Sequence, residues 1–258
     1  MNIRKYIDQE LEKNGVVILP AMEAKDSMRF ITDLAYKPSA TILDPWYNRG
    51  IGGVRNDYVD YMLEIVNAIK DNTDHLFLWG FPEIAANFVN KIGKPLEFVA
   101  WITWFFKNCP SVIRGWRSSQ QTCLHYATKD AKMHPENFFN EQQELRFENS
   151  KMRFIPGPNS VIEEPLLVGF VGKKEQTGHP SQKPEKVYEK LILMASNKNE
   201  LIFDPMGGSG TTGAVCKTHK RKCIISDISD EYITLIEKRL ETKQISRNII
   251  SEQLLAIA

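Results

Sequence analysis

Residues 201–212 read LIFDPMGGSGTT, and a strand, a glycine-dense turn and a helix start follow one another within them. Leu201, Ile202 and Phe203 form a short apolar run, the pattern of a strand buried on both faces of a parallel sheet. Asp204 and Pro205 end it. Gly207, Gly208 and Gly210 let the backbone turn tightly against a small molecule before a helix begins near Thr211. Two common nucleotide cradles do not fit. A phosphate loop needs a lysine directly before its serine or threonine, whereas Gly210 is followed by Thr211 and Thr212, and the next lysine is Lys217. A dinucleotide fingerprint needs GxGxxG, and Asp204 in front of these glycines would repel a pyrophosphate. An acid there suits a ligand that carries positive charge.

Arg221 to Asp227 (RKCIISD) reads as a second short strand, with apolar Cys223, Ile224 and Ile225. Asp227 lies about twenty residues after the first strand, where doubly wound folds hold a ribose diol. The following SDEYITLIEKRLETK opens with capping residues and keeps Tyr232, Ile233, Ile236 and Leu240 on one face, as an amphipathic helix does. Strand, turn, helix, strand and helix make half of a nucleoside-binding α/β unit. The alternative is a plain close helix–strand crossing with Asp227 as a helix cap.

Near the other end, residues 39–47 read SATILDPWY: a strand of Thr41, Ile42 and Leu43 that runs into Asp44, Pro45, Trp46 and Tyr47. Open α/β sheets bind ligands beyond such strand ends. Asp44 and the Pro45 carbonyl offer two acceptors for the two hydrogens of an exocyclic amino group, and Tyr47 or Trp46 offers a flat face for its ring. An ordinary Asp-Pro turn with core aromatics is the competing reading.

With both segments in view, the sequence resembles the DNA amino-methyltransferases, which methylate adenine N6 or cytosine N4, in the permuted order with the catalytic motif before the cofactor motif. Asp44, Pro45, Trp46 and Tyr47 resemble the Asp/Asn/Ser-Pro-Pro-aromatic signature, with Trp46 in place of the second proline. DPMGGSGTT resembles the family's Asp-Pro-Phe-x-Gly-Ser-Gly-Thr-Thr, with methionine for phenylalanine. HPSQKP at 179–184 resembles the lead-in to a helix beside the cofactor, here VYEKLILMAS. The resemblance spans about residues 39–240, and includes a helix in DYVDYMLEIVNAIK, strands at Leu76–Trp79 and in FVAWITWFFKN, and a later strand at Cys123–Tyr126 that lacks the family's usual acid.

The resemblance implies an α/β, Rossmann-like methyltransferase fold with a mostly parallel sheet and helices on both faces, in one catalytic domain over residues 1–258. It implies S-adenosylmethionine as cofactor, held by Lys183, Asp204, Pro205, Met206, Gly207, Gly208, Ser209, Gly210, Thr211, Thr212, Asp227 and Ile228. Asp204 would face the cationic end, Asp227 the ribose and Ile228 the adenine ring; Thr211, Thr212 or Lys183 would reach the carboxylate. The catalytic set would be Asp44, Pro45, Trp46 and Tyr47, acting on a base turned out of the duplex. Asp at the first motif position is commoner for adenine N6, Ser for cytosine N4. Cytosine N4, an RNA substrate and a catalytically silent binding partner are the alternatives.

Charge is balanced overall, with 33 basic and 32 acidic side chains, so the chain lacks the excess of a nucleic-acid coat protein. Lys107, Arg114, Arg117, Lys129 and Lys132 nevertheless cluster in sequence with one acid, Asp130, and read as a phosphate-contacting patch for double-stranded DNA. Residues 127–178 follow no clear period and match the position of a short target-recognition insert, with Lys151 and Arg153 as further contacts. A homodimer would complete a grip on the duplex. The cysteines Cys109, Cys123, Cys216 and Cys223 show no metal, disulfide or catalytic spacing. The apolar Val16 to Pro20 reads as an edge strand or a cover over the cofactor site. With no long apolar stretch and no signal-like start, a cytoplasmic or nucleoid protein is expected, with no membrane and no metal.

Overall fold

The strands β1 (Val16–Ile18), β2 (Ala40–Leu43), β3 (His75–Gly80), β4 (Leu96–Phe105), β5 (Gln120–Thr128), β6 (Val161–Glu163), β7 (Leu201–Asp204) and β8 (Lys222–Ile225) form one sheet in the computed structural model, which describes residues 2–49, 52–109 and 115–250. Their order is β1-β8-β7-β2-β3-β5-β4-β6. β1, β8, β7, β2 and β3 pair in parallel, β5 is antiparallel to both β3 and β4, and β6 is parallel to β4. β5 therefore runs alone against the others. The carboxyl ends of the parallel strands share one edge with the start of β5 and the end of β4.

The helices α1 (Ile3–Asn14), α2 (Ala24–Asp33), α3 (Tyr58–Ile69), α4 (Pro82–Ala85), α5 (Glu141–Glu148), α6 (Glu185–Ala195), α7 (Thr211–His219) and α8 (Asp230–Leu240) connect these strands. One core joins Ile7 of α1, Met28 of α2 and Ile65 of α3 to Val17, Leu43, Leu76, Phe203 and Ile224 of the sheet. The other joins Leu191 of α6, Val215 of α7 and Ile236 of α8 to Ile18, Ile42, Phe77, Ile202 and Ile225. Successive strand residues thus feed opposite cores, which explains why these strands read as unbroken apolar runs. Each such side chain, fully buried, contributes roughly 1.5–3 kcal/mol.

The expected strands and helices around both motifs are present, and Val16 to Ile18 joins the sheet as an edge strand on β8. Four of these elements were not expected, one of them the single-turn α4 after β3. α2 lies in the charged stretch after β1, and α5 and β6 lie in the supposedly irregular 127–178 segment. α5 buries no residue, and β6 is three residues long, so neither leaves a strong apolar period in the sequence. Among the described residues no helix is long and apolar enough to cross a membrane.

At the amino end of β3, away from the motif edge, His75 and His125 are buried together. His75 Nε2 donates to the Lys132 carbonyl at 3.0 Å, so its Nδ1 accepts from His125 Nε2, also at 3.0 Å. Burial holds both rings below the usual histidine range, and burial with the neighbouring His75 takes His125 down to about 3. Unfolded histidines protonate near 6.5, so below that pH the unfolded chain binds more protons and stability falls toward pH 3. Between pH 7 and 5 His125 alone is expected to remove about 2 kcal/mol, read as a falling denaturation midpoint. A midpoint unchanged over that range would contradict the neutral pair.

Candidate active site

β7 delivers Asp204 to the carboxyl edge, and the turn behind it is shaped by close contacts. Gly207 N donates to Ser226 O at 2.7 Å. A Cβ on Gly207 would come within 2.5 Å of Ile225 and 3.0 Å of the Ser226 carbonyl, so only glycine allows the turn to lie against β8. Gly210 stands at φ 77° as the residue before α7, the left-handed region that glycine enters freely. Asp227, beyond β8, accepts Gly208 N on one oxygen at 2.9 Å and Ser229 N on the other at 3.0 Å. The backbone of Met22 bonds the Asp227 carbonyl, so the stretch after β1 borders this cradle. Ile228, beside Asp227, is 64% exposed and leaves an apolar face open there.

The hydroxyls of the threonine pair point inward. Thr212 donates to the Asp204 carboxylate, and Met206 N reaches its other oxygen at 3.0 Å. Thr211 donates to the Lys183 carbonyl at 3.1 Å. Arg239 of α8, largely buried, donates to Ser209 O and Thr211 Oγ1, both at 3.0 Å, and to Glu185 of α6 at 2.7 Å. Sequence reading missed Arg239, which sat in an amphipathic helix as one more charged residue. Burial pushes Asp204 up to about 7; the bonds from Thr212 and Met206 oppose that, and the charges of Asp44 and Asp227 add to it.

Asp44, beyond β2, is the centre of the second cluster. Its Oδ2 accepts from Lys183 Nζ at 2.5 Å and from Tyr188 of α6 at 3.0 Å, and its Oδ1 accepts from Tyr47 at 2.8 Å. Lys183 is 3% exposed, with its ammonium 5.2 Å from the Tyr47 ring centre and 5.3 Å from that of Trp79. The lysine anticipated beside the cofactor carboxylate is thus paired with Asp44. The Pro45 carbonyl accepts no hydrogen bond among the described residues. The Tyr47 ring meets the Phe81 edge at 4.7 Å, and Arg49 lies over Phe81 at 3.6 Å.

Trp46 turns the opposite way. Its ring packs on Tyr58 and Tyr61 of α3, at 5.2 and 5.9 Å, and its Nε1 donates to Gly53 O. Of the two aromatic faces considered from sequence, only that of Tyr47 adjoins Asp44, and Trp46 braces the loop that follows. Beyond the end of β2 the two side chains thus pack against opposite cores, Trp46 on the one that contains α3 and Tyr47 on the one that contains α6.

The basic patch divides in two. Lys107 and Arg117 flank the ends of β4 and β5 on the motif edge, and Lys107 pairs with Glu163. Lys129 and Lys132 follow β5, roughly 27 Å away at about 3.4 Å per strand residue. They sit at the opposite edge, beside His75, and do not form one surface with Lys107 and Arg117. Arg114 lies outside the described residues. Lys151 and Arg153 follow α5 and are exposed. No group of three or more His, Cys, Asp or Glu side chains is placed to hold a metal ion among the described residues.

A family model described as N6_N4_Mtase, DNA methylase, matches residues 37–238, a range that contains Asp44, the glycine turn and Asp227. The chain belongs to the N6/N4 DNA methylases. Type II methyltransferase M.HpaI of Haemophilus parainfluenzae is 33% identical over 224 residues, 78% of this chain and 68% of that protein. Type II methyltransferase M1.MboII of Moraxella bovis is 25% identical over 227 residues, 74% of this chain and 85% of that one. Among solved structures, the M1.HpyAVI–SAM complex aligns with a TM-score of 0.67 at 22% identity, covering 87% of this chain and 98% of that one. The cytosine-N4-specific PvuII DNA methyltransferase aligns with 0.64 at 14% identity, covering 93% of each chain. These structures share the α/β, Rossmann-like methyltransferase fold.

The Asp44–Lys183 pair of this DNA methylase is coupled through burial. Removing one partner leaves the other charge buried without compensation, a loss of roughly 3–5 kcal/mol. Lys183→Met is expected to lose stability in that range, and Asp44→Asn in the same chain to recover part of it, by denaturant unfolding. Strictly additive losses would mean the two groups do not support each other.

Proposed function

We propose that this chain transfers a methyl group from S-adenosylmethionine to the N6 amino group of an adenine turned out of duplex DNA. The observation that carries this reading is the carboxylate of Asp44, oriented by Tyr47, Tyr188 and Lys183, on the same sheet edge as Asp204, Asp227 and the glycine turn. The cradle fits a cationic nucleoside. Asp44 and Asp227 both act on buried Asp204, and Lys183 is the ammonium among them, so this edge carries an excess of negative charge. The net positive charge of the cofactor would offset that excess, Asp227 would hold its ribose, and the open face of Ile228 would suit its adenine.

When bound, S-adenosylmethionine supplies a methyl group on a positively charged sulfur. The residues of this chain orient the acceptor. Asp44 and the free Pro45 carbonyl take the two hydrogens of the amino group, drawing its nitrogen out of conjugation with the ring, and Tyr47 supports the base. Transfer of that methyl group would leave a positive charge on the amino nitrogen. Asp44 faces that charge and is placed to receive the departing proton. No covalent enzyme intermediate is involved, so the rate comes from orientation and charge placement, worth roughly 7–11 kcal/mol when reacting groups are well fixed.

The permuted motif order belongs to this reading, as does one catalytic domain with a recognition insert in residues 127–178. Lys107, Arg117, Lys151 and Arg153 are its phosphate or base contacts, and a second copy of the chain completes the grip on the duplex. Methylation of cytosine N4 is the second reading, favoured by the likeness to the cytosine-N4-specific PvuII enzyme.

Transfer of labelled methyl to unmethylated bacterial DNA, followed by nucleoside analysis, is expected to place the label in N6-methyldeoxyadenosine. Label in N4-methyldeoxycytidine would replace the adenine reading with the second one. Asp44→Ala should cut turnover by roughly a hundredfold or more with a much smaller loss of cofactor affinity, whereas Asp227→Ala should weaken cofactor binding roughly tenfold or more. The reverse pattern would overturn the two roles.

Cofactor binding should also depend on pH. With Asp204 titrating at about 7, the free protein carries it largely protonated at pH 6 and ionised at pH 8. A cationic ligand prefers the ionised form, so affinity is expected to rise with pH over this range, by up to about tenfold, in calorimetric titrations. Asp204→Asn should bind more weakly and lose this dependence; a slope that persists in the variant would assign it to another group.

A further inference from the structure

The segment between β6 and α6 crosses the motif edge and carries an aromatic side chain that the folded chain leaves unused. Phe170 is 91% exposed, and Val168 and Val171 beside it are exposed as well. A loose loop would lay such side chains against the surface and recover roughly 1.5–3 kcal/mol for the phenylalanine alone. This turn is braced instead. Val168 N bonds Leu166 O at 3.0 Å, and Val171 N bonds Val168 O at 3.1 Å. Gln176 Nε2 reaches Gly169 O at 3.1 Å and Val171 O at 2.7 Å.

Both ends of the turn are tied to the motif edge of the sheet. On one side Asn108, just past β4, exchanges two hydrogen bonds with the backbone of Leu166, at 2.8 and 2.9 Å. On the other, Glu175 accepts Glu185 N at 2.7 Å, and Gln182 donates to Glu175 O at 2.8 Å. The next residue, Lys183, holds Asp44. Lys173 Nζ lies 5.8 Å from the Phe170 ring centre. Neither Lys173 nor Lys174 forms an ion pair among the described residues, and both are exposed. An apolar tip held outward, flanked by unpaired lysines and mounted on the strap that leads to Asp44, matches the combination of a stacked base and the phosphates on either side of it.

We propose that Phe170 is a wedge that enters the base stack of duplex DNA and fills the space left by the target base, with Lys173 and Lys174 on the adjoining phosphates. This rests on the reading of the chain as a DNA amino-methyltransferase. Turning a base out of a duplex costs a few kcal/mol, and an aromatic ring that takes its place returns roughly 1–3 kcal/mol of stacking. The gain applies only to a paired target. A base that is already unpaired has little stacking to replace.

The test compares wild type with Phe170→Ala and Phe170→Trp on a duplex carrying the mapped target site. Phe170→Ala is expected to lower kcat/KM on the paired site roughly 10- to 100-fold. The fluorescence rise of 2-aminopurine placed at the target should shrink in parallel. Both should return with Phe170→Trp, and methylation by Phe170→Ala should approach wild type when the target faces a mismatch or an abasic position. Because the side chain is exposed, the thermal midpoint and cofactor affinity should stay unchanged. Wild-type behaviour of Phe170→Ala on the paired duplex would overturn the wedge, and so would an equal loss on paired and mismatched targets. A wild-type chain that binds cofactor but methylates no DNA would instead overturn the functional reading on which the wedge rests.

Discussion

Three carboxylates, Asp44, Asp204 and Asp227, meet at one edge of the sheet with one buried ammonium, that of Lys183, among them. Such a group of acids is tolerated only where each oxygen is held. Asp227 is held by backbone N–H groups, Asp204 by a hydroxyl and an N–H, and Asp44 by two phenols and the lysine. The remaining imbalance is what a ligand of net positive charge corrects. The same low-dielectric setting that makes unpaired charge costly makes a fitting cation bind specifically.

The edge exists because of how the strands are buried. β2, β7 and β8 send alternate residues into two cores, so nothing but their ends is free for chemistry. Asp204 and Asp227 terminate or follow strands that pair directly, with Asp204 opposite Ile225, and Asp44 follows the strand beside β7. The backbone register therefore fixes the spacing of the acids, and the loops only trim it. Arg239 does part of that trimming: from α8 it joins the glycine turn to the start of α6, and so couples the cradle to the helix that carries Tyr188.

Much of this was legible before any coordinates. Apolar runs ending in Asp-Pro mark strands whose last residue enters a crevice, and glycine density after one of them marks a cradle. What could not be read were the partners supplied from elsewhere in the chain. Tyr188 sits in a helix whose apolar period accounts for it fully, and only the fold reveals its hydroxyl on Asp44. The likeness of HPSQKP to the family's lead-in points Lys183 toward the cofactor, and only the fold adds its pairing with Asp44 beyond β2. Lys129 and Lys132 read in sequence as part of one basic patch because sequence proximity hides the length of β5.

Trp46 shows why a departure in a short motif has to be judged by direction as well as size. A proline and an indole differ greatly in volume, and at Tyr47's position that difference would crowd the Asp44 carboxylate, which Tyr47 contacts. At position 46 the side chain leaves toward α3, where Tyr58 also donates to the Trp46 carbonyl at 2.7 Å. A Cβ on Gly52 would overlap the indole, so the loop closes tightly over that ring. The indole thus anchors the loop behind β2 and lies apart from the carboxylate of Asp44. Trp46 and Tyr47, neighbours in the chain, pack against opposite cores, so the bulk of the indole stays away from the Asp44 carboxylate.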